Sequence, residues 1–306
     1  MSSPTSADAR LHVRAPAKVN LCLLLGPVRE DGRHELVTLF ESVSLYDELE
    51  VSAGVADEVI CAGVDGPNLV ADALAGLRAQ GWAAPPVRVE VTKRIPIAAG
   101  MGGGSADAAA LLRVAAELAP APDRAALEAL AASLGADVPS QLTPGLAIGT
   151  GAGEVVRPLG SLAAHGLVIV PLAERLRAAA VYSEADRLGL PRGRDELEAR
   201  LREVERAAQP DARPPASLLV NDLEPAALSM CPGIGRALDA VREAGADQAL
   251  VCGSGPTVAG VYWGEDGAAR AEAAASALGH QFRAAAAVSP VAAAAQPAAS
   301  AASGKI

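Results

Sequence analysis

The sequence predicts an α+β fold divided into two domains, and three observations carry that prediction. At 306 residues the chain is long for one core, since domains run to roughly 100–200 residues. Strand-like and helix-like runs alternate, yet without the regular strand–helix repeat of a doubly wound parallel sheet. The pattern also restarts near residue 160, after a glycine-rich stretch at 145–153. The first domain is therefore expected at 11–160 and the second at 161–283. An alanine-rich tail, 284–306, is expected to be disordered and dispensable after about Phe282.

Taken in order, apolar runs at 11–13 and 19–25 read as two strands separated by 14–18. Glu30-Asp31-Gly32 is a turn signal, and 36–43 and 49–51 read as further strands. Residues 68–79 have helical spacing, while 87–91 alternate apolar and charged residues as a half-buried strand does. A helix runs to about Leu118, and a second starts after Asp123, a suitable N-cap, and ends near Leu134. In the second half, strands are expected at 167–170, 249–252 and 258–263, and helices at 194–207, 232–244 and 268–278. A proline-containing linker spans 209–215.

Composition narrows the function classes. The chain is 51% hydrophobic and 20% charged, which supports a packed core. With two Trp, three Tyr and two Phe, that core must be built from Ala, Val and Leu. Twenty-six Lys and Arg face 36 Asp and Glu, a formal charge of −10, which argues against nucleic-acid binding by phosphate neutralisation. Cys22, Cys61, Cys231 and Cys252 are too far apart for a zinc motif or a disulfide framework, and Cys22 and Cys252 are read as core residues. No leader with an apolar centre and no run of ~18 strongly apolar residues is seen, so a cytoplasmic protein without membrane contact is expected.

The most informative segment is Pro96-Ile97-Ala98-Ala99-Gly100-Met101-Gly102-Gly103-Gly104-Ser105-Ala106, which leads into a helix-forming run. Clustered glycines let a backbone approach a ligand closely, and their amides at a helix N-terminus suit phosphate oxygens. Two roles are open to Ser105: capping the helix, or offering its hydroxyl to a phosphate-bound Mg²⁺. Ser105 stands where a Walker A loop needs Lys, and neither Gly149-Thr150-Gly151-Ala152-Gly153 nor the segment starting at Gly253 fits GxGxxG.

Three segments, Pro16-Ala17-Lys18-Val19-Asn20-Leu21, the glycine loop, and Gly253-Ser254-Gly255-Pro256-Thr257, together resemble the GHMP family of small-molecule kinases. The likeness extends over about residues 11–265 and is weakest at 175–215. It implies an N-terminal ribosomal-S5-domain-2-like domain and a ferredoxin-like C-terminal domain, with the active site between them. By the same resemblance, the glycine loop holds ATP, Ser105 lies near Mg²⁺, and Asn68 borders the adenine. Lys18 and Asp137 are the implied catalytic pair, and Gly253 and Ser254 close the site.

Within the family, Asp31-Gly32-Arg33-His34, Asn68-Leu69-Val70 and Leu134-Gly135-Ala136-Asp137-Val138-Pro139 resemble members acting on a cytidine diphosphate derivative. That likeness makes Asn20 and His34 substrate contacts. Such members usually place Tyr, stacked on the cytosine, where this chain has Arg33. An arginine plane also stacks on a base, and Tyr182 is a second candidate ring. On residues alone, Asp137 is equally a turn cap and Lys18 a strand-edge lysine. Kinases acting on homoserine, mevalonate or a sugar, and a silent nucleotide-binding regulator, remain alternatives. Monomer and homodimer are both open.

Overall fold

The computed structural model describes residues 10–292 apart from Asp65. Its first long strand decides the architecture. β1 (Leu11–Val28) runs unbroken for 18 residues and is buried on both faces from Ala15 to Gly26. It pairs antiparallel with β2 (His34–Ala53) through a turn in which Gly32 takes φ +78°. Sequence reading divided each strand in two because polar residues interrupt the apolar runs. Lys18 and Asp47 within those interruptions are instead buried with partners: Asp47, fully buried on β2, accepts the Arg94 and Ile95 backbone N–H groups at 2.5 and 2.8 Å.

β2 is the centre of the first sheet. Beyond β1, its first half pairs with β5 (Leu146–Thr150), which pairs with β6 (Val155–Pro158). Its second half pairs with β4 (Val87–Thr92), and β4 carries β3 (Glu58–Cys61) in parallel. Helices α1 (Leu69–Ala79), α2 (Gly103–Leu118), α3 (Arg124–Leu134) and the four-residue α4 (Val138–Gln141) pack with this sheet around an alanine- and leucine-rich core. The caps are those the sequence offers: Asn68 accepts from the Val70 N–H at 2.9 Å, and Asp123 from the Ala126 N–H at 2.8 Å.

The second sheet is antiparallel, in the order β10 (Ala286–Val288), β7 (His165–Val170), β9 (Val258–Trp263), β8 (Gln248–Val251). The helices of this half of the chain are α5 (Ala178–Arg187), α6 (Arg194–Ala207), which packs on β1 and β2, α7 (Glu224–Met230), α8 (Gly233–Glu243) and α9 (Gly267–Leu278). No helix among the described residues is long and apolar enough to cross a membrane.

The expected disorder from residue 284 onward is overturned as far as Ala292. β10 pairs with β7, Val288 is buried, and the Ser44 and Val291 N–H groups bond to the Ser289 and Ser42 carbonyls at 2.9 and 2.8 Å. Alanine has little strand propensity, so the composition hid an edge strand held by backbone hydrogen bonds. Truncation after Phe282 would remove it. The expectation for 293–306 lies outside the described residues.

The two sheets share a core in which Ala17, Val19 and Leu21 of β1 meet Leu167 and Ile169 of β7 and Val261 of β9. One polar bridge crosses it. His165 Nε2 faces the Glu41 carboxylate at 2.8 Å, and Nδ1 faces the Ala163 carbonyl at 2.7 Å. Both partners accept, so the protonated ring satisfies both. Burial opposes that charge, but the Glu41 hydrogen bond and charge, with the Ala163 carbonyl, outweigh it and hold the His165 pKa above its ordinary 6.5. A raised folded-state pKa gives stability that is complete below the unfolded value and lost as pH rises through the folded one. Urea unfolding of wild type and His165→Gln from about pH 5.5 to about pH 9 is expected to show their stability gap shrinking as pH rises. A constant gap would remove the charged bridge from the packing of the two sheets.

Candidate active site

The chemistry converges on β1. Pleating turns Ala17, Val19 and Leu21 to the shared core and Lys18 and Asn20 to the opposite face. A register shift between Asn20 and Cys22 then reverses the alternation, so Cys22 and Leu24 join the core and Leu23 joins Lys18 and Asn20 at the cavity. Cys22 and Cys252 are buried, and burial pushes each thiol up to about 12, in keeping with core roles.

Lys18 is 3% exposed. Its Nζ donates to Asn20 Oδ1 at 2.7 Å and to the Gly100 carbonyl at 3.2 Å, and stands 3.4 Å from Asp137 Oδ2. Phe40 closes one side, its ring centre 5.7 Å from Nζ. This is an enclosed cation rather than a strand-edge lysine reaching for water. Asn20 is oriented in turn by donating to Thr38 Oγ1 at 2.8 Å, and Thr38 donates to the Cys22 carbonyl at 2.7 Å. Asp137 precedes α4, but its side chain caps nothing there. The carboxylate is turned to Lys18 and the cavity, about one-third exposed.

The glycine loop wraps the other side of the lysine, and the Lys18 N–H bonds to the Met101 carbonyl at 3.0 Å. Ala98, Gly100 and Gly102 have φ of 55°, 77° and 68°. Gly102 is the N-cap of α2 in the left-handed conformation, with no side-chain cap bond. Ser105 therefore does not cap the helix; it lies within the first turn, and the leading amides of α2 open onto the cavity. Ala106, expected at the nucleotide, is fully buried in the core beneath the loop and lines neither cavity.

Two cavities meet at this loop and share Ala98, Gly100, Gly102 and Ser105. One, of about 330 Å³, is lined by Asn68 and every loop residue from Pro96 to Ser105. The other, of about 540 Å³, holds Lys18, Asn20, Thr38, Asp137, Tyr182, Gly253 and Ser254. Gly253 has φ +54°, and Asn221 Nδ2 holds its carbonyl at 2.7 Å. Gly253 and Gly100 bring their loops together backbone to backbone: a Cβ on Gly100 would lie 2.0 Å from the Cys252 carbonyl oxygen.

Tyr182, on α5, lines the larger cavity and stacks on His34 with ring centres 5.3 Å apart. Burial, with Asp137 adding to it, holds the tyrosine hydroxyl pKa above its ordinary range. His34 backs this ring, its Nε2 at 2.8 Å from Asp186 Oδ1, and does not line the cavity itself. Arg33 is not brought to the site. Its guanidinium is half-exposed, engaged by Asp31 at 2.9–3.0 Å, and lines neither cavity.

Sequence reading missed several residues here. Lys93 bridges Asp47 and Asp107 beneath the smaller cavity, 2.6 Å from Asp107 Oδ2. Burial pushes the Asp107 carboxyl well above the usual carboxylate range, and its Oδ1 has no partner among the described residues. An acid set among alanines early in the helix was the available signal. Arg177, immediately before α5, lines the larger cavity; Asn221 had no signal at all.

A nucleotide-sized cavity and an acceptor cavity joined at a helix N-terminus, with a Lys–carboxylate pair at the junction, define a phosphotransferase. The chain matches the models of the GHMP kinases N terminal domain at residues 68–145 and of GHMP kinases C terminal at 197–281. Two 4-diphosphocytidyl-2-C-methyl-D-erythritol kinases are similar over most of their length. That of Streptomyces avermitilis is 42% identical, covering 84% of this chain and 89% of the relative; that of Thermobifida fusca is 43% identical, covering 85% and 88%. A crystal structure of 4-(cytidine 5'-diphospho)-2C-methyl-D-erythritol kinase superposes with a TM-score of 0.71 at 35% identity, covering 92% of this chain and 99% of that one. The chain belongs to the GHMP kinase family and has its two-domain α+β fold. It is an ATP-dependent small-molecule kinase.

The contact between the two glycine loops is testable. Gly100→Ala adds a Cβ in a left-handed conformation against a backbone carbonyl, so a loss of about 2 kcal/mol or more is expected. Thermal unfolding should fall by several degrees and ATP affinity should drop with it; an unchanged midpoint would mean that the loops yield freely.

Proposed function

We propose that the chain transfers the γ-phosphoryl group of ATP to the 2-hydroxyl of 4-diphosphocytidyl-2-C-methyl-D-erythritol, giving the 2-phosphate and ADP in the non-mevalonate route to isoprenoids. It would act in the cytoplasm on this small molecule, without membrane or nucleic acid. The observation that carries the proposal is the Lys18–Asp137 pair, placed at 3.4 Å where the acceptor cavity meets the open N-terminus of α2. The relatives at about 40% identity supply the substrate.

In this reading the loop amides and the α2 N-terminus hold the phosphates. The acceptor oxygen attacks the γ-phosphorus as the bond to the β-phosphate oxygen breaks, and Asp137 accepts the hydroxyl proton. Lys18, held by Asn20 and the Gly100 carbonyl, offsets charge gathering on the transferred group. Tyr182, braced by His34, gives the cytosine a flat face, and Arg177 with the start of α5 faces the diphosphate.

No group of three or more His, Cys, Asp or Glu among the described residues is placed to hold a metal. A phosphate-bound Mg²⁺ needs only one or two protein oxygens, and the Ser105 hydroxyl, where the two cavities meet, fits that requirement. Bound there, Mg²⁺ would neutralise phosphate charge.

Release of ADP with Mg-ATP is expected with the cytidine compound and not with homoserine or mevalonate. Turnover of another alcohol alone would keep the phosphotransfer and move the substrate, the reading that a disengaged Arg33 favours. Asp137→Asn is expected to cut kcat by about 100-fold or more with ATP binding retained; near-normal turnover would take Asp137 out of the mechanism.

A further inference from the structure

A cavity of about 590 Å³ lies apart from the phosphotransfer site and shares no lining residue with either of its chambers. That volume is in the range of small-molecule sites. Leu112 of α2, Leu127 of α3 and Leu142 at the end of α4 give it an apolar floor. Three arginines line it, Arg14, Arg113 and Arg124, in a chain whose formal charge is −10.

Only Arg124 has an acidic partner among the described residues, Glu128 at 2.7 Å. Arg113 donates to two carbonyls, of Gln141 at 2.6 Å and Arg14 at 2.7 Å. Burial alone lowers its pKa, to about 10, with no carboxylate to counter it. The Arg14 guanidinium lies over the Tyr46 ring, 5.4 Å from its centre. Arg14 and Arg113 thus line one largely apolar cavity with no carboxylate paired to either among the described residues, the lining Glu128 being taken by Arg124. Arg14 is exposed at the rim, whereas Arg113 is largely withdrawn from water; that withdrawal is costly, and an anion beside it offsets the cost. Arginine suits the task, because its planar fork binds carboxylate and phosphate oxygens in pairs.

We propose that this cavity is a second binding site, for a small amphiphilic anion: a phosphate or carboxylate between Arg14 and Arg113, and a short hydrocarbon body on the leucine floor. The site is independent of the phosphotransfer reading and does not compete with ATP.

Titration calorimetry of the full chain with hexyl phosphate, hexanoate and hexan-1-ol tests this. At least one anion is expected to bind once per chain, and the alcohol about ten-fold more weakly or worse; the tighter anion distinguishes phosphate from carboxylate. Saturating ATP should not displace it. Two variants localise the site. Ala116→Trp fills the cavity from the exposed side of α2, and Arg14→Gln removes a guanidinium that makes no hydrogen bond or ion pair of its own among the described residues. Each is expected to weaken the anion by about ten-fold or more, with ATP binding and thermal midpoint retained. Equal affinity for alcohol and anions, absence of anion binding, displacement by ATP, or wild-type affinity in both variants would each overturn the proposal. So would anion binding seen only in a chain ending at Ala292, which would make the following residues the cavity's occupant.

Discussion

An ammonium group shut away from water governs this structure. Lys18 is almost completely enclosed, and a buried cation is tolerated only when its charge is met and its donors are used. Meeting it takes an amide from the same strand, a carbonyl from the glycine loop and a carboxylate from the turn before α4. Three remote stretches of sequence are thereby fixed around one atom. Asn20 could not serve without Thr38, nor Thr38 without the Cys22 carbonyl, so the constraint extends into β2. The groups proposed to react are therefore in place without a ligand, as electrostatic preorganisation requires.

The register shift after Asn20 has a similar reach. A strictly alternating strand would direct Leu23 and Lys18 to opposite faces. With the shift, one strand supplies the shared core of both sheets and still presents a continuous row to the cavity. The backbone contact between the Gly100 and Gly253 loops adds the second domain to the same arrangement. Side chains at either position would hold the loops apart.

Much of this was legible in the chain. The glycine loop, Lys18, Asp137, Asn20, Gly253 and Ser254 all reach the site because each belongs to a short motif whose spacing is informative by itself. Helices with strong periodicity and side-chain caps, such as α1 and α3, were read within a residue. What escaped depended on distant partners. β1 and β2 were cut around Lys18 and Asp47, whose burial is made possible by groups far along the chain. Arg33 was assigned to the ligand because its motif pointed there, but a neighbouring Asp31 satisfies it first. Asn221 acts by holding the carbonyls of Val251, at the end of β8, and Gly253, in the loop after it, a role that leaves no local pattern. The β10 edge strand was concealed by alanine, which records neither strand nor coil.

That final strand has a mechanical meaning. It is zipped to β7 in the second sheet, while the residues that follow it bond to Ser42 and Ser44 in the first. The polypeptide thus crosses from one half to the other and stitches back again. Two bodies tethered at one hinge swing like a door; two bodies stitched at opposite margins cannot, unless a seam is unpicked. The seam is closed by backbone hydrogen bonds, so parting the halves along it means breaking them one by one.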